Sequence, residues 1–424
     1  MSHPALPLGD AAEVGFDPER LGRIGPAMQA YVDDQRVPNL VTLIARRGRI
    51  VHLDARGTLS LATGKPATPE SLFRMFSNTK PLAGLATCIL YERGLLSPDD
   101  PVSRFLPEFG DSRVQISNAP GMTERARRGI TVRDCLTNTT GILNPGTMPS
   151  YYREQYADVF ARLYDGVDAL KTLGWMRRDD DAPKPSRERV RALAELPLMA
   201  HPGEAFEYHV GYPVLTEVIA TASGQPVDEF FQQNIFDPLG MDSTGFYVKE
   251  GLVERFGDCY IPRRSGGVVK LVVFDRGETS EKVTGSGEFC VGGSTGGIVT
   301  TVGDYARFGQ MLLNGGELDG VRVLGRRTVD LMVGNHTGNM AIPITGPGFH
   351  WGLGVATYHG RDRPAPLIRS AGSYGWDGAA GTSYWADPSE ELLGVCLTQV
   401  MQAGMMPNND YQEAFQRLVY QALA

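Results

Sequence analysis

Ser77 and Lys80, a serine and a lysine three residues apart, form the pair in this chain best suited to chemistry. On a helix two such side chains share one face. A hydroxyl nucleophile then meets an amine or ammonium, and a helix N-terminus beside it offers N–H groups that favour developing negative charge. The tetrapeptide Ser77-Asn78-Thr79-Lys80 follows the apolar run Leu72-Phe73-Arg74-Met75-Phe76 and precedes Pro81-Leu82-Ala83-Gly84-Leu85-Ala86. Of the seven lysines, only Lys80 has a serine three residues before it. The spacing alone arises by chance in many chains, so its meaning depends on what else the sequence supplies.

Other candidate constellations are weaker. The stretch His201-Pro202-Gly203-Glu204-Ala205-Phe206-Glu207-Tyr208-His209-Val210 is a Pro-Gly loop leading into an apolar helix expected from about Tyr212 to Ala222. A tyrosine there could face Ser77 as a phenolate base, although structural burial is the commoner role for one tyrosine among sixteen. Gly292-Gly293-Ser294-Thr295-Gly296 fits G-x-S-x-G, but a nucleophile elbow needs a strand before it, a helix after it and alternating β/α units. In a chain with 51 glycines the match carries little weight. His201 and His209 are too far apart for H-E-x-x-H, so no metal site is expected. No G-x-x-x-x-G-K-[ST] occurs and no Gly-rich run joins a strand to a helix, so no cofactor is expected either.

The elements that must position these residues follow from periodicity. Asp17-Pro18-Glu19 has the signature of a helix start, followed by Leu21, Ile24, Met28, Tyr31 and Val32 at helical spacing. Leu40 to Leu53 reads as strand, turn, strand about Arg47-Gly48. The helix carrying Ser77 is predicted to run to Glu92-Arg93 and stop at Gly94. From Asp99 to about Gly346 the chain reads as mainly helical, with a cap at Thr131, a short strand-like stretch at Val268–Phe274 and an amphipathic helix over Asp304–Asn314. The charged run Arg177-Arg178-Asp179-Asp180-Asp181 and Pro183-Lys184-Pro185 reads as a solvated loop or lid. Strands return at Trp351–Ala356, Gly381–Ala386 and Leu392–Leu397, and a helix over Asp410–Leu423 closes the chain. With strands at both ends and helices between, the economical architecture is α+β: one antiparallel sheet flanked by helices, with a helical insert. The expected division is 1–98 with 347–424 for the sheet domain and 99–346 for the insert.

Composition sets the outer bounds. A chain of 424 residues with 42% hydrophobic and 21% charged residues is an ordinary globular protein. A net charge of −8 gives no general basis for nucleic-acid or anionic-membrane binding. No 18-residue apolar run and no leader signature are visible, so no membrane span is expected. The five scattered cysteines, Cys88, Cys135, Cys259, Cys290 and Cys396, fit a reducing, cytoplasmic location.

Taken together, the motifs resemble the serine β-lactamase and penicillin-binding-protein superfamily over roughly residues 15–400. The nearest branch resembles the class C β-lactamase-like carboxylesterases, called family VIII esterases. The pieces lie in family order: Ser77 to Lys80 and Pro81; Ile130-Thr131-Val132-Arg133-Asp134 through Thr137-Asn138-Thr139-Thr140-Gly141; Pro202-Gly203 to Tyr208; Gly296-Gly297 through Thr300-Thr301 to Asp304-Tyr305-Ala306-Arg307-Phe308; and Trp376-Asp377-Gly378 to Trp385-Ala386-Asp387-Pro388. The resemblance implies a β-lactamase-like fold and an acyl-enzyme at Ser77. It implies Tyr208 as general base, with Lys80 bonded to both Ser77 and Tyr208 and lowering the Tyr208 pKa. It also places Trp376-Asp377-Gly378 on a strand lining the site, with the Ser77 and Ala379 N–H groups as an oxyanion hole.

Two departures bear on the substrate. Lactam-processing members carry Y-x-N, where this chain has Val210 in the third position. They also carry K-T-G, where this chain has Trp376 and Asp377. An apolar side chain and an indole cannot replace those donors, and Asp377 would repel a carboxylate. The Asn138 motif is read as structural. The expectation is therefore a serine carboxylesterase for small-molecule esters, with Tyr151, Tyr152, Tyr156 and Trp376 near the pocket. Acyl transfer to an alcohol is the runner-up, followed by weak β-lactamase or D-amino-acid peptidase activity, and a non-catalytic binding protein comes last. A homo-oligomer is compatible with everything above.

Overall fold

The computed structural model describes residues 6–117, 121–143, 150–156, 186–285, 290–293, 296–360 and 367–424. Helix α1, Pro18–Leu21, begins where the sequence predicts, with the Asp17 carboxylate accepting from the Glu19 and Arg20 amides. The expected single helix is divided, and α2 spans Ile24–Asp33. Strands β1 (Asn39–Arg46) and β2 (Arg49–Gly57) form a hairpin. Its two turn residues, Arg47 and Gly48, both take positive φ, which matches the right-handed twist of the strands.

Next come β3, Phe73–Arg74, and a 3₁₀ turn over Phe76–Thr79 that runs into α3, Lys80–Glu92. Helix α3 is buried from Lys80 to Leu90, as expected of a helix apolar on every side. The following region holds β4 (Arg113–Gln115), β5 (Thr123–Arg125), α4 (Val132–Thr137), α5 (Ser150–Gln155), α6 (Ser186–Ala194), α7 (Gly211–Ser223) and α8 (Val227–Phe231). It continues through β6 (Cys259–Ser265), β7 (Val268–Asp275), α9 (Glu281–Thr284), β8 (Val299–Thr300), α10 (Val302–Leu313), β9 (Glu317–Leu318), β10 (Val321–Arg322) and α11 (Arg326–Val333). The chain closes with β11 (Phe349–Trp351), β12 (Ala356–Tyr358), β13 (Tyr374–Asp377), β14 (Ser383–Asp387), β15 (Leu392–Leu397) and α12 (Tyr411–Gln421).

One seven-stranded antiparallel sheet, in the order β11-β12-β13-β14-β15-β1-β2, joins the two ends of the chain. Its central strands are buried on both faces. Leu40 and Ile44 of β1 pack with α1, α2 and α12, while Val41, Leu43 and Ala45 pack into the main core. That two-sided burial explains the continuous apolar run in the sequence.

Two details of the insert were not read from the sequence. Short two-stranded ribbons, β4–β5, β6–β7, β9–β10 and the pairing of β3 with β8, interrupt the region read as helical. The hairpin partner of Val268–Phe274 went unrecognised because Cys259-Tyr260-Ile261-Pro262-Arg263-Arg264-Ser265 contains a proline and two arginines. Helix α10, placed in the insert, packs against β1, β14 and β15 and so belongs to the sheet's inner layer.

Candidate active site

Ser77 does not start the α-helix; it lies one turn earlier, in the 3₁₀ turn, 6% exposed. Phe76 before it takes φ +45°, a strained conformation of the kind that recurs at functional sites. The surroundings hold this turn rigidly. The Met75 amide donates to the Ile298 carbonyl at 2.9 Å, and the Ile298 amide donates to Thr79 Oγ1 at 3.0 Å. Tyr305 donates to the Asn78 carbonyl at 2.7 Å, and Asn78 Nδ2 to Thr382 Oγ1 at 3.0 Å. Gly293, at φ +89°, lies so close that a Cβ there would sit 1.9 Å from the Phe76 carbonyl oxygen.

Lys80 is the first residue of α3, and its Nζ donates to Ser77 Oγ at 2.9 Å. It also meets the Gly292 carbonyl and, at 3.0 Å, His209 Nδ1. Burial without a carboxylate partner pushes the Lys80 amine down to about 7, opposed by Cys290. A large share of neutral amine is therefore present near neutral pH.

Tyr208 is brought to the same place from the segment before α7. Its hydroxyl accepts from Trp376 Nε1 at 2.8 Å, and its ring faces Lys80 Nζ at 4.6 Å from the centroid. The expected Lys80 bond to the Tyr208 hydroxyl is thus replaced by a contact across the ring face. Burial pushes the Tyr208 hydroxyl well above its ordinary value, against hydrogen bonds with Ser77 and Trp376 that favour the phenolate. The electrostatics oppose the expected lowering: burial holds the phenol in its protonated form.

Trp376 is 7% exposed and meets Tyr208 at a tilt and Trp351 edge to face, the Trp351–Trp376 centroids being 4.4 Å apart. Beyond it, Gly378 lets β13 run against the Ser77 turn: a Cβ there would come 2.3 Å from the Met75 carbonyl oxygen. Phe76 packs in one cluster with Ala379 and Ala380. Among the described residues, neither the Ser77 amide nor the Ala379 amide donates to a backbone carbonyl or side chain. Asp377 is the exposed end of β13, opposite Ser383.

Val210 is the residue preceding α7, half-buried against the main core. Tyr152 needs correction as a pocket residue. It is fully buried in a satellite cluster with Leu143, Ala192 and Leu196, and its hydroxyl donates to the Pro197 carbonyl. Tyr151 and Tyr156 pack against the same cluster. Ser294, Thr295 and the charged run 177–185 lie outside the described residues. His201 pairs with Glu124 at 3.1 Å, away from His209, and no group of three metal-ligating side chains occurs among the described residues. No helix of the described residues is long and apolar enough to cross a membrane.

Two residues of this site were missed by sequence reasoning. His209 was weighed only as a metal ligand. Asn138 was read as structural, yet its side chain accepts from the His209 amide at 2.7 Å and its carbonyl from the Glu207 amide at 2.7 Å. The signal available for Asn138 is its residue type after α4, where asparagine suits the left-handed helix end it adopts. For His209 the only available signal is adjacency to Tyr208.

A family model described as Beta-lactamase matches residues 26–418. Over 370 residues the chain is 30% identical to an uncharacterized protein of Mycobacterium tuberculosis (strain CDC 1551 / Oshkosh), covering 85% of each chain. Esterase EstB of Burkholderia gladioli is 28% identical over 405 residues, which cover 90% of this chain and 91% of the relative. Among solved structures, EstCE1, described as a hydrolase with promiscuous acyltransferase activity, matches with a TM-score of 0.73 at 25% identity, over 95% of this chain and 98% of its own.

Proposed function

This chain belongs to the beta-lactamase family, and on that premise we propose that it is a serine carboxylesterase of the family VIII kind that hydrolyses short- to medium-chain carboxylic esters through an acyl-Ser77 intermediate. The observation that carries this reading is the buried contact of Lys80 Nζ with Ser77 Oγ at 2.9 Å, beside a phenol. The esterase similarity of EstB and EstCE1 supports it.

Acylation begins as Ser77 Oγ forms a bond to the ester carbonyl carbon and its proton passes to Lys80. The oxyanion sits between the Ser77 and Ala379 amides, and losing such a donor costs about 10²–10³ in turnover. The C–O bond to the alcohol breaks, and the leaving alkoxide takes the Tyr208 proton. Trp376 Nε1, already donating to Tyr208, steadies the phenolate that remains. Water then attacks the acyl carbon and gives its proton to that phenolate. Ser77 Oγ leaves with the proton held by Lys80, which restores the starting state.

The residues around this centre favour esters over anionic lactams. Val210, Trp376 and Asp377 stand where lactam-processing relatives hold an amide-binding Asn and a carboxylate-binding Lys-Thr pair. Transfer of the acyl group to an alcohol is the second reading, favoured by the description of EstCE1.

The test is hydrolysis of p-nitrophenyl acetate, butyrate and decanoate beside nitrocefin. Ester turnover is expected, abolished by Ser77→Ala and preserved in Ser294→Ala. Loss at Ser294 with retention at Ser77 would overturn the assignment. Added alcohols distinguish transfer from hydrolysis by the ratio of new ester to free acid.

A further inference from the structure

The mechanism above leaves the imidazole beside Lys80 unused. His209 takes φ +82°, a region that L residues rarely enter and that Asn, Asp and His tolerate best. Asn138 holds it there through the His209 amide. The ring lies against Tyr208 and Tyr212, with centroids 6.1 and 6.5 Å away, and Nδ1 is 3.0 Å from Lys80 Nζ.

The partners of Lys80 can be matched against what an amine offers. An ammonium has three N–H donors, whereas a neutral amine has two and one lone pair. Of the three partners, the Gly292 carbonyl only accepts, and the Ser77 hydroxyl can accept or donate. Burial and the neighbouring lysine push the His209 imidazolium far below its ordinary pKa, so the ring is neutral. A neutral ring carrying its proton on Nε2 presents Nδ1 as an acceptor.

We propose that His209 is a positioning residue whose Nδ1, together with the Gly292 carbonyl, takes both N–H bonds of the neutral Lys80 amine, so that its lone pair faces the Ser77 hydroxyl and receives that proton. This rests on the reading of Ser77 as the nucleophile. Other groups facing the amine are the rings of Tyr208 and Tyr212, at 4.6 and 4.9 Å, and the Cys290 thiol, which acts electrostatically.

The test uses two substitutions that both tolerate positive φ. His209→Gly removes the acceptor, whereas His209→Asn sets an amide oxygen near the position of Nδ1. His209→Gly should lower the pH-independent kcat about 10²-fold, the scale of a misaligned reacting group, with KM unchanged. Its acidic limb should move to lower pH, because the ammonium loses an acceptor. His209→Asn should recover most of the rate and the limb. In parallel, ¹³Cε-lysine NMR reads the Lys80 titration directly and should fall in His209→Gly and return in His209→Asn. That signal exists whether or not esters turn over, so failure of the esterase reading remains distinguishable. An unchanged rate and Lys80 titration in His209→Gly would overturn the proposal. So would His209→Asn behaving like His209→Gly, or disappearance of the acidic limb in either variant, which would make His209 itself the titrating base.

Discussion

Two lysines are buried among the described residues, and they serve different ends. Lys80 is fully buried beside Ser77 Oγ, His209 Nδ1 and the Gly292 carbonyl. Lys282 is 4% exposed and donates to the Phe246 and Gly297 carbonyls, at 3.1 and 2.6 Å. Burial is the leading cause that pushes both amines down to about 7. A lowered lysine pKa therefore does not identify a reactive group by itself. The partners make the distinction: Lys80 meets a hydroxyl, whereas Lys282 donates to two carbonyls and lies over the Tyr247 ring. Lys282 fixes the loop end at Gly297, beside Thr79 of the nucleophile turn, and so supports the site from outside.

That contrast is tested most sharply by methionine at each position. Lys80→Met should lower kcat/KM for p-nitrophenyl butyrate by about 10²–10⁴, the range for loss of a general base. Lys282→Met should cost less than tenfold, about 1 kcal/mol of barrier, through slackening of the Gly297 loop. Equal losses would erase the distinction.

A second contrast lies in the pH profile. The acidic limb of kcat/KM should fall near 7 in the wild type, because only neutral Lys80 accepts the Ser77 proton. Lys282→Met should leave the limb in place, and a displaced limb would implicate Lys282 in the chemistry.

The smallest effect is shared. Both amines bind protons more weakly folded than unfolded, about 7 against 10.5. Between those values the unfolded chain holds more protons, so stability rises with pH across that window, while below about 7 the penalty of the buried charge is fully present. Urea midpoints measured at pH 7 and 9.5 should increase in the wild type. Each methionine variant should flatten that increase by a similar amount.

Much of the candidate site was legible because its residues sit in short local runs. Ser77 and Lys80 are three apart, Tyr208 follows a Pro-Gly loop, and the Trp376-Asp377-Gly378 segment precedes a strand-sized run bounded by breakers. Strand β15 coincides with the predicted Leu392–Leu397, since two-sided burial selects an unbroken apolar run. The ribbons β3–β8, β4–β5 and β9–β10 were not legible, because two- and three-residue strands leave no period to read, whereas β6 was hidden by its proline and two arginines. Tyr152 misled for a different reason: an aromatic near a site reads the same whether its hydroxyl meets a ligand or the Pro197 carbonyl.

The sequence alone determined the sheet-forming ends of the chain, the spacing of Ser77 and Lys80 and the residues Val210, Trp376 and Asp377 beside them, because each depends on residue type within a few positions. Tertiary structure decided the basicity of the groups around Ser77. Lys80, Tyr208 and His209 owe their altered basicity to desolvation, and their partners arrive from α3, the segment before α7, the Gly292 loop and β13. Both the loss of water and the meeting of four distant segments exist only once the chain has folded.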